Sequence, residues 1–296
     1  MKFPCSLILL TLASAFTSSA WSDETWPIRL SYPRHVGQTY GLSINIESSV
    51  SNSLTLPGTP AHKQEMNSKT VFEGTVKVTA VNDQGRATGA EITVNTFTVD
   101  IDTLQTGPQT LFPEGTVITA TTEPDGVSFT VPGEEISDFG QQTLGSLLLI
   151  DNGLPATEDI FATDKTIKVG NMWLVDGEAA ARSLSNEQLQ VKAEDVNGSG
   201  SLVAVEEVNG QRCLNIKGHM WANNLKPGNL PAGTTVTLGQ ISLKTDILAP
   251  LDTDNGPLKK DASVNVYFSA TNESENGSAL IQSVITEQRT EQYSFE

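Results

Sequence analysis

Ala90-Glu91-Ile92-Thr93-Val94-Asn95-Thr96-Phe97-Thr98-Val99-Asp100-Ile101 is the stretch from which the fold can be read. Apolar residues stand at Ala90, Ile92 and Val94, then skip two positions and resume at Phe97, Val99 and Ile101. Strict alternation is the period of a half-buried strand, because successive side chains point to opposite faces. The skip changes the parity once, so one extra residue must be absorbed if all six apolar side chains are to share a face. That predicts a β-bulge near Asn95-Thr96. Bulged strands bend, and a long bent strand belongs to a curved sheet or a barrel wall.

The same pattern extends outward in both directions. Tyr40, Leu42, Ile44 and Ile46 alternate with Gly41, Ser43, Asn45 and Glu47. Val76, Val78 and Ala80 repeat it, as do Val264, Val266 and Phe268. Residues 236–248 hold a second parity switch, from Val236 and Leu238 to Ile241, Leu243 and Ile247, which predicts a bulge near Gly239-Gln240. Asn197-Gly198 and Asn209-Gly210 read as two-residue hairpin turns, whose central residues both need positive φ. Pro124-Asp125-Gly126 reads as a tight turn between residues 117–122 and 127–131. One segment has helical spacing: Ile136, Phe139, Thr143, Leu144, Leu147 and Leu148, with Glu134, Glu135 and Asp138 in its first turn. Asn152-Gly153 and Pro155 end it, and residues 151–165 read as a crossover loop. The expected fold is all-β, with mostly antiparallel curved sheets of sandwich or half-barrel type and one amphipathic helix near the middle.

Two halves look alike across that crossover. Val36-Gly37-Gln38-Thr39-Tyr40 and Val169-Gly170-Asn171-Met172-Trp173 share a V-G-x-x-aromatic pattern. Val76 through Asn82 to Gly85 has the same internal spacing as Val191 through Asn197 to Gly200, with the polar residues 51–69 as an insertion in the first half. The expected organisation is a signal peptide over 1–20, an N-terminal β-module over 21–150 that ends in the helix, and a C-terminal β-module over 151–296, the product of an internal duplication. With its two V-G-x-x-aromatic motifs, the chain resembles a group of exported bacterial proteins whose mature chains are β-rich. The resemblance implies export and an all-β fold, and no catalytic residue comes with it.

Export has its own signal. Lys2 precedes the apolar run Leu7-Ile8-Leu9-Leu10-Thr11-Leu12-Ala13, and Ser18-Ser19-Ala20 offers small residues at a cleavage site. Cys5 lies ahead of the apolar run, so Cys213 is the one cysteine expected in the mature chain; within Gln211-Arg212-Cys213-Leu214 it reads as a small strand residue rather than a nucleophile. A formal charge of −17, from 18 basic against 35 acidic residues, argues against nucleic acid and anionic lipid as partners. No apolar run is long enough for an integral membrane helix. A periplasmic or extracellular location follows.

Catalytic patterns are absent. His35, His62 and His219 are scattered, without an HExxH or CxxC frame, and no G-x-S-x-G elbow or phosphate-binding glycine loop occurs. Asp100 and Asp102 share a strand face as a glycosidase pair would, but Thr96 and Thr98 lie on that face too and mark it as solvated. Asp252 and Asp254 begin a run that fails the EF-hand spacing, with Gly256 at position 5 and Ser263 at position 12. The glycosylation triplets at Asn197, Asn272 and Asn276 are read as by-products of turn composition. Trp173 and Trp221 are each expected to anchor the core of the C-terminal half, with lining of a ligand cleft as the other possibility. Trp21 and Trp26 are expected to be loosely held or to cover a sheet edge. No catalytic, cofactor or metal residue is assigned. The function expected is that of an exported non-enzymatic scaffold or binding module, the alternative being a carrier of an apolar ligand or lipid in a curved-sheet cavity; its partner would be an apolar small ligand or another protein.

Overall fold

The computed structural model describes residues 24–124, 126–147, 149–186, 189–227, 230, 233–252, 256–274 and 277–295. The segment read as a leader, and with it Trp21, Leu148, Asp254 and Asn276, lies outside them. The N-terminal half contains β1 (Thr25–Ile28), β2 (Thr39–Thr55), β3 (His62–Val81), β4 (Ala87–Ile101), β5 (Gln109–Thr110), β6 (Val117–Glu123) and β7 (Gly126–Thr130). The crossover carries α1 (Asp138–Ser146) and α2 (Thr157–Phe161). Then come β8 (Thr163–Lys168), β9 (Met172–Leu174), α3 (Gly177–Leu184), β10 (Leu189–Gln190), β11 (Val196–Val208), β12 (Gln211–Asn223), β13 (Lys226–Pro227), β14 (Thr234–Pro250), β15 (Lys259–Ser274) and β16 (Gly277–Phe295).

The long strands make one antiparallel sheet in the order β7-β6-β4-β3-β2-β16-β15-β14-β12-β11-β9, with β5 beside β4. The all-β reading therefore holds. The chain runs from β2 outward to the β7 edge, crosses over, and returns from the β9 edge inward to β16. β16 then pairs with β2, from Leu280 opposite Thr55 to Phe295 opposite Tyr40. The two meanders thus advance in the same direction along the sheet. Small pairs, β1 with β8 and β10 with β13, lie apart from it.

Opposed residues in an antiparallel ladder share a face. One row reads Phe97, Phe72, Ile44, Glu291, Lys260, Ile247, Ile216 and Leu202 from β4 to β11. Every apolar member of it is buried, so this is the inner face. Two cores form on it. The first gathers Tyr40, Ile44, Phe72, Phe97, Ile118 and Phe129 under Leu144 and Leu147. The second gathers Leu202, Ile216 and Ile247 with Ile160 and Phe161 of α2, Trp173, and Ala180 of α3. Trp26 and Ile28 of β1 join this second core, because β1 pairs with β8 across the crossover. Trp26 is buried rather than loosely held.

The two V-G motifs build the same turn twice. Gln38 N donates to His35 O, and Asn171 N to Lys168 O, both at 3.0 Å. Gly37 and Gly170 take φ of 89° and 85°, which a side chain would strain. Their amides donate to Val78 O and Leu202 O on the neighbouring strands, and those residues return a bond to Gln38 O and Asn171 O. Tyr40 and Trp173 are both buried. The second sequence match is not repeated in the structure: Val76 lies inside β3, whereas Val191 precedes β11.

Some local expectations hold and others need correction. Glu73 faces Thr96 and Gly74 faces Val94, so Asn95 is the extra residue expected in β4. In β14 the extra residue is Thr237, before the expected Gly239-Gln240, and Leu238 points outward. Leu238 satisfied the apolar alternation by chance. Asn209-Gly210 is a two-residue turn with φ of 52° and 78°. Asn197-Gly198, by contrast, lies within β11, paired with Trp221 and Met220, and makes no turn. The described residues hold three α-helices instead of one. α1 begins only after Ser137, whose side chain accepts from Gly140 N, so Glu134 and Glu135 precede it and Phe139 is exposed. α2 and α3 were missed because five and eight residues are too few to show a period.

Candidate functional site on the inner face

Between the two cores the inner face turns charged. Glu291 of β16 and Lys260 of β15 stand directly opposite each other in the apolar row described above. Arg289, two residues before Glu291, directs Nε to Glu291 Oε1 at 2.5 Å. Its terminal nitrogens donate to the carbonyls of Ser146 at 2.6 Å and Leu147 at 2.5 Å. Those carbonyls have no helical partner at the end of α1, so Arg289 acts as its C-cap. Lys260 pairs with Glu158 of α2, and Tyr293 donates its hydroxyl to Glu291. The Arg34 guanidinium lies 4.6 Å from the centre of the Tyr40 ring and 5.2 Å from that of Phe295.

Burial sets the electrostatics of this seam. It lowers the Lys260 ammonium below its ordinary value, opposed in part by Glu291. Burial also pushes the Glu291 carboxyl up, but the charges of Lys260 and Arg289 with the bonds from Tyr293 and Arg289 more than reverse it, leaving it low. Tyr293 is raised well above its usual range by burial and by the adjacent carboxylate. Glu291 is therefore a carboxylate at neutral pH, and the seam holds both helices of the crossover on the central strands. Arg86 adds a third tie, with ion pairs to Asp151 and Asp159.

Beyond the helices the same face stays apolar and becomes accessible. Ile285 is four residues from Arg289, and Ile281 eight, or roughly 13 and 27 Å along the strand. Val264, Val266 and Phe268 line β15, with Ile285 opposite Val266 and Ile281 opposite Ala270, which is itself fully buried. Val50 and Leu54 of β2 continue the two rows, and Met66 of β3 lies opposite Val50. Val264 and Val266 pack partly against the second core, whereas Val50, Leu54, Met66, Phe268, Ile281 and Ile285 join neither. Ile285 is 36% exposed, Met66 39% and Leu54 41%. Ser48, Asn52, Ser283 and Gln64 punctuate this lane on β2, β16 and β3. No sequence signal marked it, since alternation looks the same whether or not a face is covered.

The residues considered from sequence lie elsewhere. Asp100 and Asp102 border an open outer-face groove of about 410 Å³ with Glu47, Asn67, Lys69 and Gln288. Asp102 accepts from Asn67 N at 3.0 Å and Nδ2 at 2.8 Å, which lower its carboxyl. Both acids belong to a solvated surface, as expected. Trp173 is buried and donates its indole N–H to Phe161 O at 2.9 Å, a core anchor. Its ring occupies the place that a Cβ on Gly200 would need. Trp221 contradicts its reading: it is 40% exposed on the outer face, 5.2 Å from the His219 ring. Its position opposite Asn197, in the row between apolar inner rows, turns it outward. Cys213 is a buried strand residue whose thiol is pushed up by burial. Asp252 is exposed, and no cluster of three metal-ligating side chains occurs among the described residues.

No protein-family model and no curated protein matches the sequence. Among solved structures, lipovitellin, described for its lipid–protein interactions, aligns over 86% of this chain and 25% of its own, at 9% identity and a TM-score of 0.35. A LolA superfamily protein from Nitrosomonas europaea aligns over 89% and 88%, at 7% identity and a TM-score of 0.19. An outer membrane channel from Pseudomonas putida aligns over 88% and 97%, at 9% identity and a TM-score of 0.21. Likenesses of this size assign no role to any residue.

Proposed function

We propose that the protein is an exported carrier of a single-chain lipid, held along β15 and β16 on the open part of the inner face. The observation that carries this reading is the lane itself: six apolar side chains on the core-forming face of the sheet, outside both cores, three of them more than a third exposed. From Ile285 to Ile281 the open part of the lane runs about 13 Å along β16, the length scale of an extended alkyl segment. Leaving such a surface in water is unfavourable, and an aliphatic chain laid on it removes apolar area from both partners.

Its composition favours a lipid over a protein. Protein interfaces centre on Trp, Tyr and Arg anchors, and the lane offers aliphatic side chains with one Phe and one Met. β15, β16 and β2 are each paired on both sides, so they present no backbone edge for an added strand. Export is supported by the charge, apolar run and small residues within residues 1–20. The repeated turn at Gly37 and Gly170, with meanders advancing in one direction, supports a tandem origin for the scaffold.

Displacement of the neutral apolar dye N-phenylnaphthylamine by hexadecan-1-ol tests the reading. The purified chain should bind the dye saturably and release it to the alcohol. Ile285→Asn combined with Leu54→Asn should weaken binding by roughly tenfold or more, while the melting temperature changes little because both side chains are exposed. Absence of saturable binding, or an unaltered double variant, overturns the carrier. A variant that instead dissociates a dimer in light scattering would favour the scaffold.

A further inference from the structure

The capped end of the lane holds a carboxylate that is paired with none of the described residues. Glu287 lies on the inner face of β16, opposite Ser48 of β2 and Val264 of β15. It is half-buried, between Ile285 on the lane and Arg289 in the seam. Three of the five N–H donors of Arg289 are engaged by Glu291 and the carbonyls ending α1, and none is bonded to Glu287. The Glu287 carboxylate makes neither a hydrogen bond nor an ion pair with the described residues. The carboxylates of the seam have partners of their own, Glu291 with Arg289 and Glu158 with Lys260.

We infer that Glu287 makes the lane selective for single-chain lipids whose head group is a protonated amine. The inference rests on the carrier reading and names its ligand class. An ionised carboxylate only accepts hydrogen bonds, so it rewards a head that donates, and most strongly one that is also positive. Beside apolar Ile285 and Val264 the attraction is less screened than in bulk water. A fatty-acid head would place a second carboxylate against Glu287, in a chain that already carries a formal charge of −17. An alcohol head donates but carries no charge, and takes an intermediate place. Selectivity then comes as much from rejecting the acid as from gripping the amine.

The dye-displacement assay extends directly, with hexadecylamine, hexadecan-1-ol and hexadecanoate compared below their micellar concentrations in physiological salt. For the unaltered chain the amine should displace at roughly tenfold lower concentration than the acid, with the alcohol between them. Glu287→Gln should keep dye affinity and bring amine and acid within about threefold of each other. Glu65→Gln makes the same charge change on the outer face of β3 and should leave the preference intact. Equal displacement by amine and acid in the unaltered chain, a preference that survives Glu287→Gln, or one that Glu65→Gln also erases, overturns the role of Glu287 while leaving the carrier standing. If no alkyl ligand displaces the dye, the carrier itself fails, and this inference with it.

Discussion

Glu291 is the residue whose chemistry the fold depends on most visibly. Opposite Lys260 and bonded to Arg289, it is the carboxylate the two cations share between the cores, while Glu158 takes the other side of Lys260. Removing one member of a buried pair strands the other, so Glu291→Gln should cost about 3–5 kcal/mol at neutral pH, measured by denaturant unfolding. The pH dependence has a definite sign. A carboxyl whose folded value lies below its ordinary 4.5 contributes stability that is complete above 4.5 and is lost as pH falls through the folded value. Unfolding free energy should therefore decline on the acid side of that window in the unaltered chain, and the decline should be shallower in Glu291→Gln. An identical acid limb in both would show that Glu291 is not charged in the folded protein. None of this was legible in the sequence. Glu291 and Lys260 lie in alternating strands like many surface residues, and only the register puts them face to face on the inner side.

At the scale of the element, the β4 bulge is where sequence and structure agree most closely. Asn95 is the one residue that lets Ile92 and Val94 share the inner face with Phe97 and Val99. Deleting it would turn one of those pairs to water, so the deletion should abolish the cooperative thermal transition, followed by near-ultraviolet dichroism. Asn95→Ser keeps the residue count and should melt within a few degrees of the unaltered chain. A deletion that folds normally would mean that the bulge can migrate. The bulge was readable because it leaves a gap in the apolar pattern on both sides. That of β14 was misplaced because Leu238, an outward-facing apolar residue, hid the gap. α3 had a readable cap, Asp176 accepting from Glu178 N and Ala179 N, ahead of the strong helix formers Ala179 to Arg182. Its brevity hid the period, not its propensity.

For the molecule as a whole, charge is the property that composition alone makes testable. Thirty-five acidic residues face 18 basic ones, and the exposed pairs, such as Lys69–Glu47 and Lys77–Glu91, are worth little individually. Raising sodium chloride from low to physiological concentration should therefore raise the melting temperature, because exposed like charges more than about 8–10 Å apart are then screened. No salt response would mean that the acids are dispersed well enough not to repel. The sequence by itself determined the strand-rich class, the antiparallel turns at Asn209-Gly210, the bend at Asn95 and the paired turns at Gly37 and Gly170. Each is a local property, set by φ preference or by side-chain period within a few residues. Tertiary structure alone decided that β16 closes onto β2, that β1 crosses to the second core, that the helices are pinned by Arg289 and Lys260, and that the other described residues leave part of the inner face bare. Those outcomes depend on which distant strands pair and how far the cover reaches. Alternation states only that a strand has two faces, not what lies on either of them.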